Sequence, residues 1–190
     1  MRRIISFVHI SLDGFVAGPN GEMNWIKIDQ ELFDHVEQRI KKCDAALYGR
    51  KTFEMMESYW PTAADKPHAT KHDIEHSKWY ATARKLVLSN TLKEADFKNT
   101  TVIGGAISDK INEFRNSDGE DILVFGSPSA THALMKLNLI DGYWMFVNPV
   151  VLGKGISLFN GDQVPASLKL ISTRTFNSGV VELNYVVEEK

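Results

Sequence analysis

The run Tyr48-Gly49-Arg50-Lys51-Thr52 sets a glycine, two cations and a hydroxyl at the junction between an apolar segment and an amphipathic one. A strand that turns into a helix at such a point leaves the first backbone N–H groups of the helix free, and the positive end of the helix dipole favours an anion. Arg50 can grip a phosphate through two parallel charge-assisted bonds, each contributing roughly 1.5–3 kcal/mol, about one or two decades in affinity. That is enough to prefer a ligand with one extra phosphate. The same residues also suit a solvated Arg-Lys pair at an ordinary helix start.

Val124-Phe125-Gly126-Ser127-Pro128-Ser129 repeats the pattern. Gly126 lets backbone approach a ligand, Pro128 suits a first helical turn, and Ser127 and Ser129 can either donate to phosphate oxygens or act as N-caps. Leu88-Ser89-Asn90 ends a third apolar run. Three strand ends with small or phosphate-compatible residues make a crevice at one edge of an open α/β sheet.

Other patterns carry less. Gly104-Gly105 lacks the following Gly-Lys-Ser/Thr of a P-loop, and Gly153-Lys154-Gly155 lacks the third glycine of a dinucleotide fingerprint. His68, His72 and His76 recur every four residues, so one helix could present all three to a metal. Pro67 and Thr70 interrupt the start of that helix, and no carboxylate outside the segment is implicated, so no metal is expected. For acid chemistry the candidates are Asp13, in a glycine-rich loop, and Glu31, at a helix start. A carboxyl buried beside a flat heterocycle has a raised pKa and can deliver a proton. Asp13 can equally hold its turn, and Glu31 can equally complement a helix dipole. Trp25 suits a core anchor or an aromatic wall over a ligand.

These residues need a scaffold, and 190 residues with 43% apolar and 24% charged content suffice for one sizeable core. One domain over 1–190 is the expectation. A net charge of −2 gives no general attraction to nucleic acid or anionic lipid. Cys43 is the single cysteine, so no intramolecular disulfide forms and a reducing, cytoplasmic setting is expected. Ile4 to Ile10 is too short for a membrane span and reads as a buried strand.

After the loop from Asp13 to Asn24, Asp29 can cap a helix with Leu32, Phe33, Val36 and Ile40 on one face, and Ile28 and Phe33 are spaced as a hydrophobic staple. Ala45 to Tyr48 reads as a strand, and a helix from about Lys51 should stop before Pro61. Strands follow at Lys85 to Leu88, Thr101 to Ile103 and Ile122 to Phe125, with helices at Ile107 to Phe114 and Ser129 to Leu139. From Tyr143 onward strands dominate. Helices alternating with strands, then strands alone, favour a mostly parallel sheet finished by antiparallel strands.

Taken in order, Ser11-Leu12-Asp13-Gly14 with Met23-Asn24-Trp25, then Gly49-Arg50-Lys51-Thr52, Leu88-Ser89-Asn90, Phe125-Gly126-Ser127, Leu139-Ile140-Asp141, Pro149 to Gly155 and Leu158-Phe159 resemble the dihydrofolate reductase superfamily. The resemblance is closer to the reductase domain of the riboflavin-biosynthesis deaminase-reductase and its stand-alone bacterial relatives. It implies a three-layer α/β/α fold and an NADPH-dependent reductase of a pyrimidine- or pteridine-like heterocycle. By the same resemblance, Gly49, Arg50, Lys51 and Thr52, with Leu88, Ser89 and Asn90, hold the adenosine phosphates. Gly126, Ser127, Pro128 and Ser129 lie under the pyrophosphate. The loop from Asp13 to Trp25 closes over the nicotinamide, with Ala17 near its carboxamide, and a homodimer is implied. Trp144 and Phe146 suit either a dimer face or the core. Ser127 stands where dihydrofolate reductases carry a second glycine, and Gln30 or, with one inserted residue, Glu31 falls at the family's acid. Reduction of another metabolite and nucleotide binding without catalysis stay open beside this reading.

Overall fold

A computed structural model describes residues 1–93, 97–161 and 165–188. Its elements are β1 (Ile4–Ser11), β2 (Phe15–Ala17), α1 (Gln30–Ile40), β3 (Ala45–Gly49), α2 (Arg50–Ala63), α3 (Lys71–Thr82), β4 (Arg84–Leu88), β5 (Thr100–Ile103), α4 (Ile107–Asn116), β6 (Ile122–Phe125), α5 (Pro128–Lys136), β7 (Gly142–Asn148), β8 (Ile156–Ser157), β9 (Leu168–Thr175) and β10 (Val181–Val187). Among the described residues, eight strands form one sheet in the order β5-β4-β3-β6-β1-β7-β10-β9. Neighbours from β5 to β7 run parallel, and β10 is antiparallel to both β7 and β9. The expected mostly parallel sheet with an antiparallel end is therefore present.

Strand periodicity of two assigns the layers. Ile4, Val8, Leu47, Ile122 and Val124 pack with Ile111 of α4 and Leu134 of α5. Their alternates Ile5, Ala46, Tyr48, Leu123 and Phe125 pack with Leu32 and Val36 of α1, Phe53 of α2 and Trp79 and Tyr80 of α3. The result is three layers, α/β/α. Trp144 and Phe146 are completely buried within the chain and belong to the second of these cores.

Several expectations need correction. The second helix does not stop before Pro61 but runs through it to Ala63. Proline removes one backbone donor there, in the last turn, and the Ser77 hydroxyl satisfies the neighbouring Trp60 carbonyl at 2.9 Å. A helix with weak amphipathic spacing, α3, starts only after a capping box between Thr70 and Asp73. The α5 helix ends at Lys136 rather than Leu139, because Asn138 takes a left-handed conformation at φ 54°. Ile28 remains 47% exposed while Phe33 stacks on His72, so Phe33 is spent outside a staple.

Candidate functional site

The parallel strands β3, β4 and β6 end along one edge of the sheet, and a cleft of about 920 Å³ opens there. Its walls take Arg50, Lys51 and Thr52 from the start of α2, Leu88, Ser89 and Asn90 from the end of β4, and Gly126, Ser127, Pro128 and Ser129 from the start of α5. The three turns picked out from the sequence thus meet in one concavity. Gly49 lies just beneath, its N–H donating to the buried Ser127 hydroxyl at 2.9 Å. A β-carbon at Gly49 would fall 2.6 Å from the Ser127 Oγ and 2.8 Å from the Ser129 Oγ, so only glycine lets the two turns close together. Ser127 itself has an ordinary extended backbone at φ −75°, which needs no glycine. Gly126, at φ 54°, takes the left-handed conformation that side chains resist.

Helix α2, like α5, has no side-chain cap at its N-terminus. Ser127 occupies the N-cap position of α5, but its hydroxyl serves Gly49 of the neighbouring turn. Backbone donors at both helix starts therefore face the cleft side of the molecule unclaimed by side chains. Arg50 is paired only loosely with Glu54, at 3.8 Å, and is about half exposed. No Asp or Glu lines the cleft among the described residues, whereas Arg50 and Lys51 do. This donor set and charge balance fit a phosphorylated ligand.

The remaining lining is mostly apolar. Phe7, Val8, Val16, Ala17, Met23, Ile26 and Phe125 line it, beside His9 and His132. Ala17 is carried there by a two-stranded ribbon of β2 with β8, inside a segment whose sequence reads only as loop. His132 Nε2 lies 2.9 Å from the Leu158 carbonyl and joins α5 to the segment after β8. His9 is the functional-looking residue that sequence reasoning missed, although a histidine in the run Ile4 to Ile10 was a visible signal. Its Nδ1 sits 3.3 Å from the Asn148 side-chain nitrogen. Asn148 is oriented by the Lys27 N–H, which donates to its oxygen at 2.8 Å, so its nitrogen is the donor toward His9 and the imidazole proton sits on Nε2. Burial pushes the His9 pKa down to about 4, leaving the ring neutral.

The residues expected to do acid chemistry are placed elsewhere. Asp13 accepts from the Gly153 N–H at 2.7 Å, the Leu152 N–H at 3.1 Å and the Ser11 hydroxyl at 2.7 Å, and clamps a turn. Glu31 pairs with Arg174 at 2.9 Å and accepts from Asn177 at 2.9 Å. Both pKa values are lowered, Asp13 first by the Ser11 hydrogen bond and Glu31 first by Arg174. A proton donor needs the opposite shift. Neither carboxylate lines the cleft, nor does Trp25, whose indole N–H donates to the Glu22 carbonyl at 3.0 Å. A second concavity, also about 920 Å³, lies over β9 and β10 and includes Arg39, Asp121, Arg174 and Glu182. It mixes charge signs and contains none of the strand-end turns.

The family model of the RibD C-terminal domain matches residues 2–182. The chain belongs to this family. An uncharacterized protein of Bacillus subtilis (strain 168), YyaP, is 35% identical over 97% of this chain and 94% of its own. Among solved structures, a putative riboflavin biosynthesis protein from Shewanella sp. PV-4 superposes with a TM-score of 0.72 at 20% identity, over 98% of this chain and 99% of that one. A dihydrofolate reductase from Enterococcus faecalis, complexed with NADP(H), superposes with a TM-score of 0.63 at 13% identity, over 98% and 97%. The architecture is accordingly dihydrofolate reductase-like. Among the described residues, no helix is long and apolar enough to cross a membrane.

Proposed function

We propose that this RibD C-terminal domain protein is an NADPH-dependent reductase of a pyrimidine- or pteridine-like heterocycle, with 5-amino-6-(5-phosphoribosylamino)uracil as the first substrate to test. The observation that carries the reading is the cleft itself. Two uncapped helix starts and Arg50 offer phosphate donors, no carboxylate opposes them among the described residues, and the rest of the lining is mostly apolar, suited to flat rings.

When bound, NADPH supplies a hydride. The protein's part is positional. Arg50, Lys51 and Thr52 with Ser89 and Asn90 hold the phosphate on the adenosine side, and the Gly126–Ser129 turn receives the pyrophosphate. Ala17, brought in by the β2–β8 ribbon, borders the nicotinamide. Phe7, Met23 and Phe125 exclude water from the rings, and the neutral His9 offers an Nε2–H donor to a heterocycle carbonyl. Asp13 and Glu31 hold the surrounding loops instead of moving protons. Arg50→Ala should weaken NADPH about tenfold to a hundredfold more than NADH in parallel titrations. Equal losses for both would remove Arg50 from the phosphate site.

A nucleotide-binding module without turnover is the second reading, and the absence of a carboxylic acid from the described cleft lining favours it. NADPH oxidation across a panel of pyrimidines, pteridines and other carbonyl metabolites separates the two, since tight binding with no turnover supports the module. A homodimer is part of the leading proposal. Light scattering at about twice the 21.4 kDa chain mass supports it, and the mass of one chain overturns it.

A further inference from the structure

Outside the cleft lining, between α1 and α3 and beside Trp60 of α2, three potential ligands converge. Glu37 of α1 faces His72 and His76, which stand four residues apart on one face of α3, and the donor atoms of the three lie within 4.8 Å of one another. His68, the third member of the sequence repeat, is exposed outside the helix at φ 66° and takes no part. A carboxylate from outside the histidine segment, which the sequence alone did not implicate, is supplied by another helix.

The cluster is buried and unsatisfied. The Glu37 and His76 side chains are 4% and 5% exposed and His72 is 15% exposed. Both Glu37 oxygens and both histidine Nδ1 atoms lack hydrogen-bond partners. The closest approaches to the Glu37 Oε2 are 3.6 Å from His76 and 3.9 Å from His72, beyond hydrogen-bond range. No lysine or arginine pairs with Glu37 among the described residues, and the nearby acids are committed elsewhere, Asp73 to Thr70 and Tyr59, Glu75 to Lys41. Buried polar groups in native proteins are almost always satisfied, and one recognised reason for apparent exceptions is a bound ion.

The geometry suits such an ion. Zinc-class bonds of about 2.0–2.2 Å in a tetrahedral arrangement set ligand atoms about 3.4 Å apart. The two histidine–Glu37 spacings, 3.6 and 3.9 Å, exceed this by only a few tenths of an ångström, and the three ligand atoms all lie within 4.8 Å of one another. Phe33 stacks on His72 at 3.9 Å between centroids and Trp60 lies 4.1 Å from His76, which fixes both imidazoles. His72, the least buried of the three, provides the route of entry. We propose that Glu37, His72 and His76 bind a divalent transition-metal ion of the zinc class, with two imidazole nitrogens, one carboxylate and an open position for water, and that the ion ties α1 to α3.

The test uses tag-free, chelator-stripped protein titrated with Co²⁺ as a spectroscopic probe and then with Zn²⁺. The expected result is a visible absorption band saturating near about one equivalent per chain, displaced by Zn²⁺, with a raised unfolding temperature for the loaded form. Glu37→Gln and His72→Asn should each weaken binding at least about tenfold, while His68→Asn leaves it unchanged. Should Glu37→Gln fail to fold by circular dichroism, His72→Asn decides, because that ring is partly open to solvent. No band in the wild-type protein, as a bridging water would give, overturns the proposal. So does a band that forms as tightly after His72→Asn as in the wild type, or one that disappears with His68→Asn.

Discussion

Helices begin differently in two regions of this molecule. Away from the cleft, α1 is capped by the Asp29 carboxylate, which accepts from the Leu32 N–H at 2.8 Å, and α3 by a full capping box. At the cleft, α2 and α5, which follow strands β3 and β6, have no side-chain cap. A cap contributes about 1 kcal/mol, so its omission at both helix starts leaves stability unclaimed. Ser127 makes the point most directly, because a residue of capping type stands at the cap position and bonds elsewhere. The titratable groups divide in the same way. Outside the cleft, Asp13 and Glu31 are held ionised by donors, whereas inside it His9 is held neutral by burial. One region closes its helix starts and carboxylates with its own side chains, and the other leaves helix donors without side-chain caps beside a neutral ring.

The largest effect expected from this division concerns His9. Its folded-state pKa, about 4, lies below the unfolded value of about 6.5, so the unfolded chain binds the extra proton between these values. Stability is then fully present above about pH 6.5 and is lost as pH falls through about 4, by up to about 3 kcal/mol. Urea unfolding of the wild type and His9→Gln from pH 7 to pH 4 should give a steeper loss for the wild type. Parallel curves would mean that the cleft does not impose neutrality on its histidine.

Next in size is Gly49→Ala. The added carbon would sit 2.6 Å from the Ser127 Oγ and 2.8 Å from the Ser129 Oγ, and relieving it breaks the bond that holds the β3 and β6 turns together. We expect a stability loss of about 2 kcal/mol by urea unfolding, with NADPH binding reduced more than stability alone explains. Adding Ser127→Ala should return part of the stability, since it removes the closer of the two contacts. A double variant no more stable than Gly49→Ala alone would show that the contact is not the source of the loss.

Local signals made the fold and the strand-end turns that line the cleft legible. Asp29 before an apolar-periodic run, the glycines ending β3 and β6, and Pro128 at a first turn each act within a few residues of themselves. The partners of the candidate acids were not legible, because they are remote. Arg174 meets Glu31 across 143 residues of chain and Gly153 meets Asp13 across 140, and both contacts favour the carboxylate that the sequence alone leaves ambivalent. The β2–β8 ribbon joins residues far apart in sequence and stayed hidden for the same reason. The α3 helix was a different case. Its hydrophobic spacing is weak, and Thr70 with Asp73, three residues on, was the readable start signal.

The smallest effects separate the two kinds of helix start most cleanly. Asp29→Ala removes a cap whose oxygen accepts from Leu32 N–H, and should cost about 1 kcal/mol in urea unfolding while leaving the NADPH dissociation constant unchanged. Ser129→Ala, at an exposed position in the first turn of α5, should change stability by less than about 0.5 kcal/mol and weaken NADPH severalfold, because its hydroxyl lines the cleft without capping the helix. The crossed pattern is the informative result: one substitution moves folding and spares the ligand, and the other does the reverse. If Asp29→Ala weakened NADPH as much as Ser129→Ala, the uncapped helix starts would have no special claim on the ligand. The phosphate site would then have to be sought in Arg50 and Lys51 alone.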